Sequence, residues 1–103
     1  MVVAEISIEP IGTGSPSIGE FVTACVELLE REPNVKFEVT AMGTIVEGDR
    51  RTVLSLVDQM HEKCLHMGAQ RVLTEFRMDE RMDKPLNIEV MQREVEEHLT
   101  RRR

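Results

Sequence analysis

The pattern of hydrophobic and polar residues predicts four strands along the chain. Residues 2–9 alternate between apolar and polar side chains, as in a half-buried strand, and we expect Pro10 to end it. The same alternation recurs in three later segments, 35–41, 44–47 and 71–78. Gly43 marks a tight turn between the second and third of these strands. Because this connection is too short for a parallel crossover, the two strands should pair as an antiparallel hairpin.

Three other segments carry apolar residues at the three-to-four spacing of an amphipathic helix. The predicted N-cap residues of the three helices are Ser17, Asp49 and Asn87. Glu20 lies three residues after the first of these caps and would complete a capping box. Pro33 should end the first helix, and Gly68 suits a C-terminal cap of the second. The third helix would run through Leu99 close to the end of the chain.

The predicted order is βαββαβ followed by a C-terminal helix, in one domain that spans residues 1–103. This order indicates an α+β fold of the ferredoxin-like type, a four-stranded antiparallel sheet with the first two helices on one face. We expect Phe21 and Phe37 to be buried in the core between helices and sheet.

The other face of the sheet should be mostly polar and free of these two helices. Its expected polar residues are Glu5, Ser7, Glu9, Lys36, Glu38, Thr40, Arg71, Glu75 and Arg77. Together with Val3 and Leu73, these residues would make a half-polar surface suited to self-association. We expect the fourth strand to extend into residues 79–84, where its backbone groups would be free to pair with another chain. The sequence therefore predicts that the protein is not a monomer.

Composition and charge narrow the range of partners. With 13 Lys and Arg against 19 Asp and Glu, the formal net charge is −6, which argues against nonspecific nucleic-acid binding. The basic cluster 101–103 is expected to be a solvated helix end. No apolar run approaches the ~20 residues needed to cross a bilayer, so we expect no membrane association. Glu5 and Glu9 are incompatible with a signal peptide, and the expected location is cytoplasmic.

The residue types that most often carry chemistry have structural explanations here. Cys25 and Cys64 fall on apolar helix stripes, where we expect them to pack as small hydrophobes without forming a disulfide. His61 and His66 are five residues apart, and this spacing does not place both on one helix face as a zinc pair requires. We therefore expect no metal site and no cofactor. The loop around Thr13 lacks the glycine spacing of nucleotide sites and is expected to be a simple turn.

Four segments resemble the small thiamine-binding protein family in their order and spacing. The first is Glu5-Ile6-Ser7-Ile8-Glu9-Pro10-Ile11-Gly12-Thr13-Gly14, which is similar to the family's opening strand and its Gly-Thr-Gly loop. The other three segments are residues 42–48, 71–74 and 79–84. Members of that family have a ferredoxin-like fold, in agreement with the element order read from the hydrophobic pattern.

The resemblance implies a non-catalytic protein that binds thiamine or its hydroxymethylpyrimidine precursor and forms a homodimer or homotetramer through its sheets. It also implies that Ser7 and Thr44 hydrogen-bond the aminopyrimidine ring, and hydroxyl groups suit that ring because they both donate and accept. We expect these two side chains to lie together on the helix-free face of the sheet. Glu5, Gly43 and Glu47 complete the expected ligand-binding set, in which carboxylates oppose the thiazolium cation.

Two other functions remain open at this point. The protein could be an oligomeric regulatory or structural module without a thiamine ligand, its polar sheet face being consumed by subunit contacts. It could instead be a small barrel enzyme built from ferredoxin-like domains. Such enzymes usually need a His, Asp or Tyr in a sheet-lined cavity, whereas this chain has no Tyr and all its His residues fall on predicted helices. We therefore expect no catalytic residues and no enzymatic activity.

Overall fold

In the computed structural model, which describes residues 1–14 and 18–102, strands and helices follow one another in the predicted order. The elements are β1 (Val2–Ile11), α1 (Gly19–Glu30), β2 (Lys36–Thr40), β3 (Gly43–Gly48), α2 (Arg50–His66), β4 (Arg71–Glu80) and α3 (Ile88–Arg102). The strands form one sheet in the order β2-β3-β1-β4, and all neighbours are antiparallel. The predicted α+β, ferredoxin-like fold with an additional C-terminal helix is confirmed.

The core lies between one face of the sheet and helices α1 and α2. Its buried apolar residues come from β1, β3 and both helices: Val2, Ala4, Ile6, Cys25, Leu29, Val46, Val53, Leu56, Val57, Met60 and Cys64. Phe21 and Phe37 pack against this cluster but are only partly buried, so the prediction that they are buried in the core holds only in part. Phe37 lies on the edge strand β2, and Phe21 faces a cavity that is described below.

Strand β1 is longer than the hydrophobic pattern predicts. It continues through Pro10 to Ile11, although we expected the proline to end it. The reason is that β3 pairs with β1 from Val2 to Ile6, whereas β4 pairs with it along its whole length. Beyond Ser7 one edge of β1 is therefore free in the described part of the chain, and proline is tolerated at such an edge.

Strand β4 also differs from its prediction. It ends at Glu80 and does not extend to residue 84. Each of its ten residues pairs with one residue of β1, so it is not too long for this sheet. Its outer edge has no strand beside it in the described residues, because β4 is the last strand in the sheet order.

Most of the predicted helix ends are confirmed. The Asp49 carboxylate accepts a hydrogen bond from the Thr52 N–H at 3.3 Å, and Asn87 Oδ1 accepts one from the Val90 N–H at 2.8 Å. At the end of α2, Gly68 donates its N–H to the Leu65 carbonyl in a glycine cap. Ser17, the predicted cap of α1, lies outside the described residues. The N-cap of α1 is Ile18, and it makes no side-chain capping hydrogen bond.

The start of α3 is attached to the helix-free face of the sheet, the face that α1 and α2 do not cover. The buried Glu47 of β3 accepts a hydrogen bond at Oε2 from the Ile88 N–H at 3.4 Å, where a carboxylate suits the positive end of the helix dipole. Gln92 Nε2 reaches Glu38 Oε2 at 3.5 Å. Apart from these two contacts, α3 stays open to solvent, since none of its described residues is buried.

Candidate ligand-binding site

A cavity of about 320 Å³ opens between α1, the end of β1 and the β2–β3 turn. This volume lies at the lower end of the range, about 300–1,000 Å³, that small-molecule sites usually have. Its apolar wall includes Ile6, Ile8, Phe21, Val22, Cys25, Val26, Val39, Met42, Met60 and Cys64. Its polar border includes Ser7, Glu9, Thr40, Gly43 and Thr44. A mostly apolar wall with a few polar groups is the usual composition of a site for a small organic molecule.

The unequal lengths of β1 and β3 explain why the cavity lies here. β3 begins at Gly43, so no β3 residue lies beside β1 from Ile8 onward. The two-residue turn between β2 and β3 ends at the same place. Helix α1 covers the resulting gap from the core side, since Phe21 and Cys25 border it. The free edge of β1 thus becomes one wall of the cavity.

Ser7 and Thr44 both border this cavity, but the expectation that they share the helix-free face is wrong. Thr44 pairs with Ile6, a core residue, and residues directly opposite each other point to the same face. Ser7 is the next residue along β1 and points to the other face, where it pairs with Glu75. The two residues come together because the cavity wraps around the free edge of β1. Their contact with a ligand stays a prediction.

Gly43 occupies a position where a side chain has no room. A Cβ atom built there would lie 2.8 Å from the carbonyl oxygen of Ile6, which is closer than real Cβ atoms approach backbone. The glycine therefore lets β3 start close against β1. Beside it, the Thr40 hydroxyl donates to the Gly43 carbonyl at 2.8 Å and fixes the turn at the mouth of the cavity.

Glu5 and Glu47, the other two residues of the predicted ligand-binding set, do not border the cavity. Glu5 is exposed on the helix-free face, where it pairs with Ile45 on one side and Arg77 on the other. Glu47 lies under the start of α3 and accepts the hydrogen bond from Ile88. Its carboxylate thus has a structural role at the helix terminus.

The charge at the cavity is negative. Among the described residues that border it, Glu9 is the only charged one. The N-terminus of α1 lies beside the same space, because its N-cap Ile18 borders the cavity. A helix N-terminus carries a partial positive charge, but Glu20 occupies the first turn of α1. The cavity therefore presents a carboxylate and hydroxyl groups. Among the described residues, no basic side chain borders it.

Two thiols lie at the inner end of the cavity. Cys25 of α1 and Cys64 of α2 are buried, free and 4.0 Å apart at their sulfur atoms. Burial, together with the neighbouring Cys64, raises the pKa of Cys25 to about 12, and burial also raises the pKa of Cys64. Both groups are thus neutral thiols near pH 7, consistent with the predicted role in core packing.

Sequence reasoning missed most of the cavity wall. Phe21, Cys25 and Cys64 were expected in the core, and the pattern gave no reason to place them at a cavity as well. One signal was available, since the alternation of β1 covers more residues than that of β3 and therefore leaves part of β1 without a neighbour. This difference in length marks the open edge.

His61 and His66 have local partners. His61 Nδ1 lies 2.7 Å from the Thr74 hydroxyl, and His66 lies 3.6 Å from Glu62 on the same helix. Within residues 1–14 and 18–102, no group of three or more His, Cys, Asp or Glu side chains is placed to hold a metal ion. No helix in the same ranges is long and apolar enough to span a membrane.

Comparison with known sequences places this arrangement in a family. The sequence profile of the family described as thiamine-binding proteins matches residues 4–96. The UPF0045 protein YqgV of Bacillus subtilis is 33% identical over 102 residues, covering 96% of this chain and 98% of its own length. A UPF0045 protein of Methanothermobacter thermautotrophicus is 38% identical over 84 residues, covering 81% of this chain and 84% of its own.

Solved structures agree with the fold. The hypothetical protein MJ1052 of Methanocaldococcus jannaschii superposes with a TM-score of 0.85 at 34% identity, over 93% of this chain and 96% of its own. A Thermotoga maritima protein, described provisionally as a thiamine biosynthesis/salvage protein, superposes with a TM-score of 0.73 over 89% of this chain and 96% of its own. At 18% identity, the second likeness concerns the fold alone. By sequence, element order and fold, the chain belongs to the thiamine-binding protein family.

Proposed function

We propose that this protein binds thiamine or its hydroxymethylpyrimidine precursor in the cavity under α1, without catalysing a reaction. One observation carries the proposal: Ser7 and Thr44, which the family resemblance marks as ligand residues, border a single apolar cavity together with Gly43 of the expected set. The family to which the chain belongs is described as thiamine-binding, and the Thermotoga maritima relative in fold is described in terms of thiamine biosynthesis or salvage.

The polar groups of the cavity suit an aminopyrimidine. That ring presents an amino donor next to acceptor ring nitrogens, and the hydroxyls of Ser7 and Thr44 can each donate or accept. Thr40 has already committed its proton to the Gly43 carbonyl. Its oxygen already accepts a hydrogen bond from the Met42 N–H at 3.4 Å, which leaves one further acceptor position for the amino group. The apolar wall, with Phe21 and Met60, would cover the faces of the ring.

The charge of the cavity favours unphosphorylated ligands. Glu9 can stand opposite the thiazolium cation, and because its side chain is exposed, water screens this attraction to a modest one. A phosphate would bring negative charge to this carboxylate, and no basic side chain among the described border residues would compensate. We therefore expect thiamine to bind more tightly than thiamine diphosphate.

Isothermal titration calorimetry with thiamine, hydroxymethylpyrimidine and thiamine diphosphate tests this proposal. We expect measurable binding of the first two and weaker binding of the diphosphate. Ser7→Ala or Thr44→Val should each remove one hydrogen bond, which is about 0.5–1.5 kcal/mol or roughly a two- to twelvefold rise in Kd. Thr100→Val is the matched control, because Thr100 is exposed on α3, far from the cavity residues in sequence.

Two results would contradict the proposal. The first is that wild type and the Ser7→Ala and Thr44→Val variants show the same thiamine affinity, or none. The second is that the diphosphate binds most tightly, which would indicate that the N-terminus of α1 and the glycine loop before it hold a phosphate instead.

The proposal includes assembly into a homodimer or homotetramer. The outer edge of β4 has no partner in the described residues, and Leu73, Phe76 and Met78 on that strand remain exposed. These exposed residues equally favour the second candidate function, a structural or regulatory module without a thiamine ligand. Sedimentation should show a species larger than the 11.8 kDa monomer at micromolar concentration in either case. Calorimetry with thiamine separates the two functions.

A further inference from the structure

The thiols of Cys25 and Cys64 meet where α1 packs against α2 in the core. Cys25 lies on α1 and Cys64 on α2, and their sulfur atoms approach each other to 4.0 Å across the helix–helix contact. The Cys25 thiol also faces the Met60 carbonyl at 3.9 Å. Both cysteines border the cavity, so the space that would hold a ligand is also their route to solvent.

We propose that Cys25 and Cys64 form an oxidisable dithiol, whose disulfide links α1 to α2 and reshapes the inner wall of the ligand cavity. The sulfur atoms must move from 4.0 Å to the bonding distance of about 2.05 Å. Rotation of the two side chains or a shift of the helices must close this gap, and either changes the wall where both cysteines border the cavity. The part of the proposal that concerns ligand binding rests on the proposed function.

The reaction is a two-electron oxidation that needs a small oxidant, and the reagent diamide, an azo compound, serves as the probe. One thiol loses its proton as its sulfur adds to the azo group, so that a sulfur–nitrogen bond forms and the second nitrogen takes up that proton. The other cysteine then attacks this sulfur. A sulfur–sulfur bond forms, the sulfur–nitrogen bond breaks, and the reduced hydrazine leaves with the second proton.

Ligand and oxidation should exclude each other. A molecule in the cavity would stand between the thiols and the reagent, since the cavity borders both sulfur-bearing residues. Conversely, the disulfide would alter the wall against which the ligand packs. We expect saturating thiamine to slow thiol loss, and we expect the oxidised protein to bind thiamine about tenfold or more weakly.

Intact mass spectrometry and thiol titration of the folded full chain decide whether the disulfide forms. The chain has two cysteines, so every thiol that is lost belongs to this pair. Diamide should remove both thiols, lower the monomer mass by about 2 Da and be reversed by dithiothreitol. The control variant Cys64→Ser cannot form this disulfide. Its remaining Cys25 thiol should stay reduced, form an adduct with the reagent or link two chains. Unchanged mass of the folded wild type, or disulfide-linked dimers as its product, would overturn the proposal.

The calorimetric measurements separate this proposal from the proposed function. If the oxidised and reduced proteins bind thiamine equally well, the disulfide forms without reshaping the cavity and that part of the inference is wrong. If the reduced wild type does not bind thiamine at all, the proposed function fails together with the coupling. The mass measurement still decides the dithiol in that case, because it involves no ligand.

Discussion

Helices α2 and α3 have similar hydrophobic patterns and opposite environments. Each carries apolar residues at helical spacing along one side and polar residues elsewhere. In α2 that side is buried, with Val53, Leu56, Val57, Met60 and Cys64 in the core. In α3 no described residue is buried, and Val95 and Leu99 remain 60% and 46% exposed.

The difference comes from how the chain connects each helix to the sheet. Helix α2 joins β3 to β4, and because both strands belong to one sheet the connection returns the helix across its face. Helix α3 follows the last strand and is attached near its start, through Glu47 and Ile88. The longest dimension of the molecule is 50 Å, and its radius of gyration of 15.6 Å exceeds the ~13 Å of a compact domain of this length. Amphipathicity thus predicts that a helix has an apolar side. It does not predict whether other residues of the same chain pack against that side.

The largest expected effect concerns the core side of α2. Leu56 is 2% exposed, and its truncation in Leu56→Ala leaves a cavity that the packed helices and sheet can fill only in part. We expect a loss of about 2–5 kcal/mol in the free energy of unfolding, measured by urea titration. Leu54→Ala is the matched control on the same helix, because Leu54 is 40% exposed and should lose about 1 kcal/mol or less. Similar losses in both variants would show that the buried side of α2 is assigned wrongly.

The two N-caps give a smaller and more specific contrast. Asp49→Ala removes the hydrogen bond to the Thr52 N–H at the start of α2. Since α2 unfolds with the core, we expect a loss of about 0.5–2 kcal/mol in global stability. Asn87→Ala removes the equivalent bond to the Val90 N–H in α3. That change should leave global stability within about 0.5 kcal/mol and instead speed hydrogen exchange along α3.

Urea titration combined with amide hydrogen exchange distinguishes these outcomes. Exchange along α2 should follow global unfolding in both variants, whereas exchange along α3 should respond to Asn87→Ala alone. Equal losses of global stability from the two cap variants would mean that α3 unfolds together with the core, contrary to this prediction.

The fold could be predicted from the sequence because its signals are local. The alternation of apolar and polar residues predicted the strands, and the short connection at Gly43 predicted the hairpin. Asp49 and Asn87 predicted the starts of two helices. The errors arose where neighbours in space decide the outcome. Pro10 continues a strand because β3 stops early and leaves an edge free.

The candidate site could be predicted only in part, for the same reason. The resemblance to the family identified Ser7 and Thr44, which border one cavity. Their faces could not be assigned without the strand register, since a shift of one residue moves a side chain to the other face of the sheet. The thiol pair was invisible in the sequence because Cys25 and Cys64 meet through the packing of two helices.

The smallest expected effect concerns the exposed side of α3 and sharpens the comparison most. Leu99→Ala removes few contacts, because Leu99 is nearly half exposed, and alanine is the better helix former. We expect the free energy of unfolding to stay within about 0.5 kcal/mol of wild type. We also expect this difference to be the same at low and high protein concentration, since the proposed assembly uses the sheet. A loss that grows with protein concentration would show that a second copy covers α3, so that in the assembled protein α2 and α3 both bury their apolar sides.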